Sequence, residues 1–154
     1  MKICVVSSSG GHMTESIFLI EAFKEHEIFF CTYHSPMDSD VRSIAPVYYY
    51  NNHFTQNNLV NTYYMFFMLF WALKIIAIEK PEVIVSFGAE IALPFFYLAK
   101  LFRIKTVFIE TWNRIEDLSL TGRLVLPVAD VFIVQWPQLL EKYGGKIQFY
   151  GGLI

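Results

Sequence analysis

The sequence predicts an α/β fold of the Rossmann-like, doubly wound type, built on a parallel sheet. Short β-branched runs alternate with helical stretches along the chain, which is the pattern of β-α-β units. The runs VIVSF and TVFIE are continuously apolar, as is typical of strands that are buried on both faces. A chain of 154 residues is long enough for one such domain with its own core, and we expect a single domain over residues 1–154.

The elements follow from the periodicity in chain order. We predict strands at residues 2–7, 27–33, 46–50, 82–87, 105–110, 130–135 and 146–150. We predict helices at residues 12–24, 59–79, 90–102, 120–127 and 136–143, with a loop or short helix at 36–43. The first helix has an apolar face, formed by Met13, Ile17, Ile20 and Phe23. The long helix stops before Pro81, because proline disfavours helical geometry in the residue that precedes it.

Composition excludes several classes of protein. Charged residues make up 17%, against about 25% in an ordinary domain, and hydrophobic residues 55%, which excludes disorder and leaves apolar surface for a partner or a membrane. The net charge of -2 provides no basic footprint for nucleic acid. Cys4 and Cys31 lie in apolar runs without metal-ligand spacing, so we expect buried free thiols in neighbouring strands. Asp38 and Asp40 form a D-x-D pair that could hold a metal ion, but turn and cap roles explain both, and we expect no metal site.

The loop after the first strand is the first candidate site. In a doubly wound sheet, ligands bind beyond the carboxyl ends of the strands, which selects residues 7–12, 87–90, 110–114 and 135–137. Ser9, Gly10 and Gly11 allow a close approach to the backbone, and the next helix directs its amide groups there, which suits a phosphate. His12 would serve as a base or hydrogen-bond donor. A plain tight turn explains the loop equally well, and the spacing of a dinucleotide fingerprint is absent.

The second candidate lies after the fifth strand. Glu110 ends an apolar strand and is followed by Asn113 and Arg114, so its carboxylate would face the crevice, where it could hold a sugar hydroxyl or orient His12. A solvated strand end or a Glu110–Arg114 ion pair is the alternative. Gly88 lies in another strand-to-helix turn that could line the same crevice, although a packing role is equally compatible.

The helix at residues 59–79 carries an aromatic run at 63–76 that is apolar almost all round. Asn61 and Lys74 near its ends argue against a bilayer span, which needs about 20 apolar residues. Either this helix covers one face of the sheet, or it buries one face and presents aromatic side chains to a membrane interface. The aromatic content favours the second interpretation, with four predicted membrane-facing residues: Phe66, Phe67, Phe70 and Trp71.

Three segments, in one order across nearly the whole chain, resemble a known family. They are SSSGGH, SFGAEIALPFFYLAK and IETWNRIEDLSLTGRLVLPVADVFIVQWPQL. Together they resemble the PssD-type and capsular-polysaccharide "enhancer" glycosyltransferase subunits, which are bacterial relatives of the membrane-anchor subunit of the eukaryotic N-glycan GlcNAc-transferase pair. More distantly, the pattern is similar to the N-terminal half of the peptidoglycan lipid-linked GlcNAc transferase.

The resemblance implies the N-terminal, acceptor-side domain of a GT-B glycosyltransferase whose two halves are separate proteins. It implies inverting transfer from a nucleotide sugar, such as a UDP-sugar, to a polyprenyl-diphosphate-linked saccharide in capsule or exopolysaccharide biosynthesis. The donor would bind mainly to a partner subunit, the C-terminal GT-B half, with no cofactor and no metal required. The eukaryotic relatives begin with a transmembrane helix where this sequence begins with a strand, so peripheral attachment to the cytoplasmic face of the cell membrane would depend on the aromatic helix or the partner.

The resemblance also assigns roles to residues. Gly10, Gly11 and His12 match the family's glycine-rich loop, which would take the acceptor diphosphate or place a base. Four further repeated positions are matched by Gly88, Glu110, Arg114 and Gly122. The predicted catalytic residues are therefore His12 and Glu110, and the predicted acceptor- and phosphate-binding residues are Ser9, Gly10, Gly11, Gly88, Asn113 and Arg114.

Three other classes of function compete with this expectation. The chain could be a non-catalytic scaffold that recruits and activates a donor-binding partner at the membrane. A stand-alone nucleotide-binding oxidoreductase would need an acidic ribose contact near the end of the second strand, which instead ends in Thr32-Tyr33-His34. The β-α pattern disfavours a structural membrane protein.

Overall fold

The computed structural model describes residues 1–35, 38–52, 55–56 and 58–152. Its strands are β1 (Lys2–Val6), β2 (Glu27–Tyr33), β3 (Val47–Tyr50), β4 (Val83–Ser86), β5 (Lys105–Ile109), β6 (Val131–Val134) and β7 (Gln148–Phe149). Its helices are α1 (Gly11–Phe18), α2 (Asp38–Ile44), α3 (Asn58–Glu79), α4 (Ala92–Phe102), α5 (Leu120–Val125) and α6 (Gln138–Tyr143), with 3-10 turns at Ile20–Phe23 and Gly144–Lys146.

The strands form one parallel sheet of seven strands in the order β3-β2-β1-β4-β5-β6-β7. Val5 in β1 pairs with Phe30 of β2 on one side and with Val85 of β4 on the other. The chain therefore winds outwards from β1 in one direction and from β4 in the other. The predicted doubly wound Rossmann-like fold is confirmed, and its topological switch point lies between β1 and β4, where such sheets bind ligands.

Alternate residues of the strands enter separate cores on the two faces of the sheet. Cys4 and Val6 belong to the larger core, which α3, α4, α5 and α6 cover, whereas Ile3 and Val5 belong to the smaller one, which α1 and α2 cover. Cys4 and Cys31 are buried free thiols in adjacent strands with their sulfur atoms 3.7 Å apart, as predicted. Burial raises the pKa of the Cys31 thiol well above its ordinary value, so this group stays protonated.

Several element boundaries differ from the prediction. The helix predicted at residues 12–24 ends at Phe18, because Leu19 leaves helical geometry with a ψ of 3°, and a 3-10 turn follows. This bend lets the chain return to the start of β2 within a few residues. The helix predicted at 90–102 begins at Ala92, and the last strand contains only Gln148–Phe149. The backbone of Asp38 and Asp40 lies in α2, but their side chains are outside the described part of the structure, so the D-x-D hypothesis stays untested.

α3 divides its aromatic side chains between the core and the surface. The prediction that Trp71 faces outwards is wrong: its ring packs edge-on against Phe95 at 5.6 Å and lies 5.4 Å from the ring of Tyr50. Trp71 is thereby part of the contact between α3 and the larger core. Phe70 is one residue earlier, about 100° away around the helix, and is 53% exposed.

The outer face of α3 is exposed and apolar. Three predicted membrane-facing side chains lie on it, with exposed fractions of 56% for Phe66, 44% for Phe67 and 53% for Phe70. Among the described residues, α3 is the one helix long and apolar enough to cross a bilayer by length and composition, which is weak evidence because core helices of soluble proteins pass the same test. The membrane-facing role of these phenylalanines stays a prediction.

Candidate functional site

A polar pocket of about 330 Å³ opens at the switch point of the sheet. The loops that follow β1, β4 and β5 form its walls, as the strand-end rule predicts. Its lining residues are Ser8, His12, Ala89, Glu90, Thr111, Asn113, Arg114, Ser119, Leu120 and Thr121. The structure therefore brings three of the four predicted site segments together in one concave surface.

The amino end of α1 is open towards this side of the sheet. Gly10 precedes the helix with a φ of +84°, a conformation that L side chains rarely adopt, and no side chain of the described residues caps the helix. A Cβ atom added to Gly10 or Gly11 would meet no atom within 4 Å, so there is space in front of the helix. Ser9 is partly exposed in the same loop. An uncapped helix start of this kind carries a partial positive charge and free amide groups that suit an anion.

His12 lies across the pocket floor against Gly88. A Cβ atom on Gly88, whose φ is +122°, would lie 2.9 Å from Cε1 of His12, so only glycine allows this approach. The Nδ1 atom of His12 is buried and has no hydrogen-bond partner among the described residues. Burial lowers the pKa of His12 most, the charge of Arg114 lowers it further, and Glu90 and the Phe87 carbonyl oppose the shift. The imidazole is therefore held in its neutral form, which can accept a proton.

Asn113 and Arg114 line the pocket from the loop between β5 and α5. A turn fixes this part of the loop, since the Arg114 amide donates to the Thr111 carbonyl oxygen at 3.1 Å. Both side chains are exposed. Arg114 supplies a positive charge beside the helix start of α1, as the predicted phosphate-binding role requires, and that role stays a prediction.

Glu110 lies beneath the pocket rather than in its lining. Its carboxylate is fully buried: Oε1 accepts from the Thr111 amide at 3.1 Å, and Oε2 accepts from the Ser119 amide at 2.9 Å and the Ser119 hydroxyl at 3.1 Å. Burial raises the pKa of Glu110 above its ordinary value of 4.5, although these hydrogen bonds oppose the shift. The expectation that Glu110 faces the crevice is wrong, because its oxygens hold the two ends of the loop. The geometry favours a positioning role for Glu110, and its proposed catalytic role has no support here.

A second buried carboxylate, Glu15, was missed by the sequence analysis. It is 2% exposed, and it accepts from the Thr111 hydroxyl at 2.5 Å and from Nε2 of Gln135 at 3.2 Å. The same Gln135 nitrogen donates to the Glu110 carbonyl oxygen at 3.0 Å. Glu15 therefore joins α1, which carries His12, to the loop that carries Arg114. The available signal was the spacing of His12, Glu15 and Ser16, which places three polar side chains on one face of a helix.

Glu90 is a further pocket residue that the sequence analysis did not name as a site residue. It accepts a hydrogen bond from the Tyr33 hydroxyl at 2.8 Å, across the switch point from β2 to the turn after β4. Burial and the adjacent Glu90 carboxylate raise the pKa of Tyr33 well above its ordinary range, so the phenol remains a donor. Ala89 before it has a φ of +67°, which shows how tightly this turn is bent.

The described residues include no group of three or more His, Cys, Asp or Glu side chains that could hold a metal ion. The polar groups that face the pocket are instead an imidazole, a guanidinium, an amide, hydroxyls and one carboxylate. This set binds and orients by hydrogen bonding and charge. It can take an anionic group near α1 and Arg114 and accept a proton at His12.

Comparison with known proteins agrees with this architecture and decides the family. The model of the family described as "Oligosaccharide biosynthesis protein Alg14 like" matches residues 3–153. The chain belongs to the Alg14-like family. Two curated relatives are the UDP-N-acetylglucosamine transferase subunit ALG14 of Yarrowia lipolytica, 37% identical over 54% of this chain and 41% of its own length, and that of Candida albicans, 35% identical over 64% and 46%. The Alg14-like chain thus spans less than half of these two relatives.

A longer match and two solved structures extend the comparison. The UDP-N-acetylglucosamine transferase subunit ALG14 of Mus musculus is 24% identical over 93% of this chain and 79% of its own length. MurG of Acinetobacter baumannii superposes with a TM-score of 0.73 at 16% identity, over 88% of this chain and 41% of that one. A UDP-N-acetylglucosamine 2-epimerase gives a TM-score of 0.77 at 16% identity, over 99% and 48%. The fold of this Alg14-like chain is therefore that of the Rossmann-like N-terminal domain of GT-B enzymes.

Proposed function

We propose that this chain is the acceptor-binding, membrane-associating subunit of a two-component inverting glycosyltransferase. The partner is a donor-binding subunit that supplies the other GT-B half and holds most of the nucleotide sugar. The acceptor is a saccharide on a polyprenyl diphosphate, and the pair works at the cytoplasmic face of the membrane. The relatives named as UDP-N-acetylglucosamine transferase subunits make UDP-GlcNAc the first donor to test. A capsule or exopolysaccharide setting rests on the sequence resemblance alone.

The polar pocket at the switch point is the observation that carries this proposal. An arginine and a neutral histidine line this cavity of about 330 Å³, and the uncapped start of α1, whose second residue is that histidine, lies beside it. The helix start and the arginine suit the diphosphate of an acceptor, because amide groups and a guanidinium both donate to phosphate oxygens. The histidine suits the acceptor hydroxyl, which must lose a proton as it reacts.

In the proposed reaction, the acceptor oxygen attacks the anomeric carbon of the donor sugar from the face opposite the nucleotide. The new glycosidic C–O bond forms as the bond from that carbon to the nucleotide diphosphate breaks, so the configuration inverts. His12 takes the proton of the hydroxyl, and the electron pair of the broken bond leaves with the diphosphate. Groups of the partner stabilise the charge on the departing diphosphate. Glu110 and Glu15 hold the loop and α1 in place and stay out of the reaction.

Peripheral attachment is supported by the exposed apolar side chains of α3 and α4. Phe66, Phe67 and Phe70 of α3 are about half exposed, and Leu101 of α4 is 72% exposed. Lys74 is exposed on the same long helix. Aromatic and aliphatic side chains with a nearby cation are suited to the headgroup region of a bilayer that contains anionic lipids.

The test is transfer by the assembled pair. This chain is co-expressed with its donor-side partner, and transfer from UDP-GlcNAc to a polyprenyl-diphosphate-linked acceptor is measured for the wild type, His12→Ala and a control, His26→Ala, which lies outside the pocket. We expect His12→Ala to lower kcat at least about a hundredfold, the typical value of a general base, while co-purification with the partner persists. The control keeps wild-type turnover. Unchanged turnover in His12→Ala removes this residue from the mechanism.

A non-catalytic scaffold is the second candidate function. The observation that favours it is that Glu110 and Glu15 are both committed to holding the loop, which leaves only His12 and Glu90, among the described pocket residues, as side chains that could accept a proton. If the scaffold interpretation is correct, the partner alone is slow, and His12→Ala activates it as fully as the wild-type chain does. Loss of turnover in His12→Ala at normal assembly excludes the scaffold.

A further inference from the structure

A second cavity, an apolar groove of about 510 Å³, opens between α3, α4 and α5. Phe66 and Leu69 of α3, Leu93 and Tyr97 of α4, and Leu124 of α5 form its walls. The Tyr97 hydroxyl donates to the Leu124 carbonyl oxygen at 3.0 Å, which fixes one wall against the other. The volume lies within the range of small-molecule sites, about 300–1,000 Å³. The groove is therefore large enough to hold a small ligand, and it is also part of an apolar surface.

The groove and the polar pocket share no lining residue, but two separate elements contribute neighbouring residues to both. On α5, Leu120 lines the polar pocket and Leu124 lines the groove. Four residues apart, they lie on one face of the helix, about 6 Å apart along its axis. At the start of α4, Glu90 lines the pocket and Leu93 lines the groove, three residues later. On both elements, a residue of the polar pocket, which suits an anion, is followed within four residues by a residue of the groove, which suits a hydrocarbon.

The side chains of Leu120 and Leu124 also provide apolar surface between the two cavities. They are 68% and 42% exposed, although leucine side chains usually gain from burial, and together they form an apolar strip from the pocket to the groove. A ligand that covers this strip must be charged at one end and apolar next to the charge. A diphosphate ester of a hydrocarbon chain has this form.

We propose that the groove holds the first isoprene units of the lipid whose diphosphate occupies the polar pocket. The proposal rests on the proposed function, because that function assigns the diphosphate to the pocket. The proposal places the first part of the hydrocarbon chain in a site of the protein, whereas a flat membrane-contact surface would leave the whole hydrocarbon chain in the bilayer. The hydrocarbon chain then leaves the groove along α3, where the exposed Phe70 lies one turn after the groove residue Phe66 and packs against it, with ring centroids 4.8 Å apart.

The test measures binding of three soluble probes in the absence of detergent and membrane, with the full chain in complex with its partner. The probes are inorganic diphosphate, isopentenyl diphosphate with one isoprene unit, and farnesyl diphosphate with three, all below the micelle concentration. We expect farnesyl diphosphate to bind at least about tenfold more tightly than isopentenyl diphosphate, since burial of two further CH₂ groups is enough for that factor.

Two leucine variants separate the groove from the general apolar surface. Leu124→Gln changes a groove residue, and Leu101→Gln changes an exposed leucine of α4 that does not line the groove. We expect Leu124→Gln to bring the affinity ratio of the two lipid probes close to one and Leu101→Gln to leave it unchanged. If both variants reduce the ratio equally, or if the wild type does not discriminate between the probes, the groove does not hold the chain.

Failure of the proposed function gives a different result from failure of the groove. If Arg114→Ala leaves the affinity for inorganic diphosphate and isopentenyl diphosphate unchanged, the diphosphate does not occupy the pocket, and both proposals are overturned. In the second case, Arg114→Ala weakens the binding of inorganic diphosphate and isopentenyl diphosphate at least about tenfold, but the wild type binds farnesyl and isopentenyl diphosphate with equal affinity. The pocket assignment then stands, and the groove proposal alone is overturned.

Discussion

Gly122 is the position where the structure predicts a large effect from one methyl group. In an ordinary exposed helix, replacement of glycine by alanine stabilises the protein by about 1 kcal/mol. At Gly122 the added Cβ would lie 2.2 Å from Oε2 of Glu110, well inside the distance of any real contact. The carboxylate is fully buried and hydrogen-bonded through both oxygens, so it cannot move away from the methyl group without breaking those hydrogen bonds.

The magnitude follows from the hydrogen bonds that the methyl group displaces. Oε2 of Glu110 accepts from the amide and the hydroxyl of Ser119, and hydrogen bonds to a charged group contribute about 1.5–3 kcal/mol each. Loss of both, offset by the gain in helix propensity, gives a net destabilisation near 3 kcal/mol for Gly122→Ala. For a protein of this size, this corresponds to a decrease in Tm of about 6–12 °C.

Thermal unfolding followed by circular dichroism measures this effect. The matched control is Gly145→Ala, where no atom lies within 4 Å of the added Cβ, so the Tm should change by less than about 2 °C. In a Glu110→Ala background, Gly122→Ala should lose most of its cost, because the atom that it strikes is gone. A rise in Tm for Gly122→Ala, or an equal loss in both backgrounds, refutes the assignment of Glu110 as the group that fixes this loop.

Three further predictions concern protonation and the two faces of α3. Because burial lowers the pKa of His12 below its ordinary value of 6.5, kcat/KM of the assembled pair should rise with pH as His12 loses its proton, with a midpoint below pH 6.5. The charge of Arg114 also lowers this pKa, so Arg114→Ala should shift the midpoint to higher pH. Burial raises the pKa of Glu15 in the folded state, so the folded state takes up a proton as the pH falls from neutral to 4.5, and the wild type should become more stable relative to Glu15→Gln. Urea unfolding of both proteins at neutral pH and at pH 4.5 measures this change. If the difference in unfolding free energy between the two proteins is the same at both pH values, the prediction is wrong. Phe67→Ser should weaken binding to anionic vesicles at unchanged Tm, whereas Trp71→Ser should lower stability by about 3 kcal/mol or more.

The sequence was sufficient to predict the fold and the position of the pocket, because both depend on local patterns. Apolar runs of strand length mark the buried strands, and the carboxyl ends of parallel strands meet at one edge of the sheet. His12 lies in the first turn of α1, and Asn113 and Arg114 lie in the loop after β5, all at that edge, so the rule brought them together without any contact information.

The parts that could not be predicted depend on contacts distant in sequence. Glu110 was predicted to face the crevice and Glu15 was not predicted at all, because only the fold shows that Ser119, Thr111 and Gln135 are positioned to donate to them. Buried charges of this kind depend on where several remote donors converge. No periodicity in the sequence reports such convergence.

The composition predicted surplus apolar surface for a partner or a membrane, and the structure shows where that surface lies. A core takes one side of each helix, and Trp71 and Phe95 show that the inner side of α3 is already fully used. The exposed phenylalanines Phe66, Phe67 and Phe70 lie on the outer side of α3. Phe66 lines the groove, whose other walls come from α4 and α5, and both of these helices start next to residues of the polar pocket. A soluble enzyme acting on a free sugar gains nothing from an apolar surface at that edge, whereas a protein that receives a charged group on a hydrocarbon chain needs both surfaces side by side. Under the proposed function, the apolar composition and the polar pocket serve a single requirement, which is to hold an amphiphile at the boundary between water and membrane.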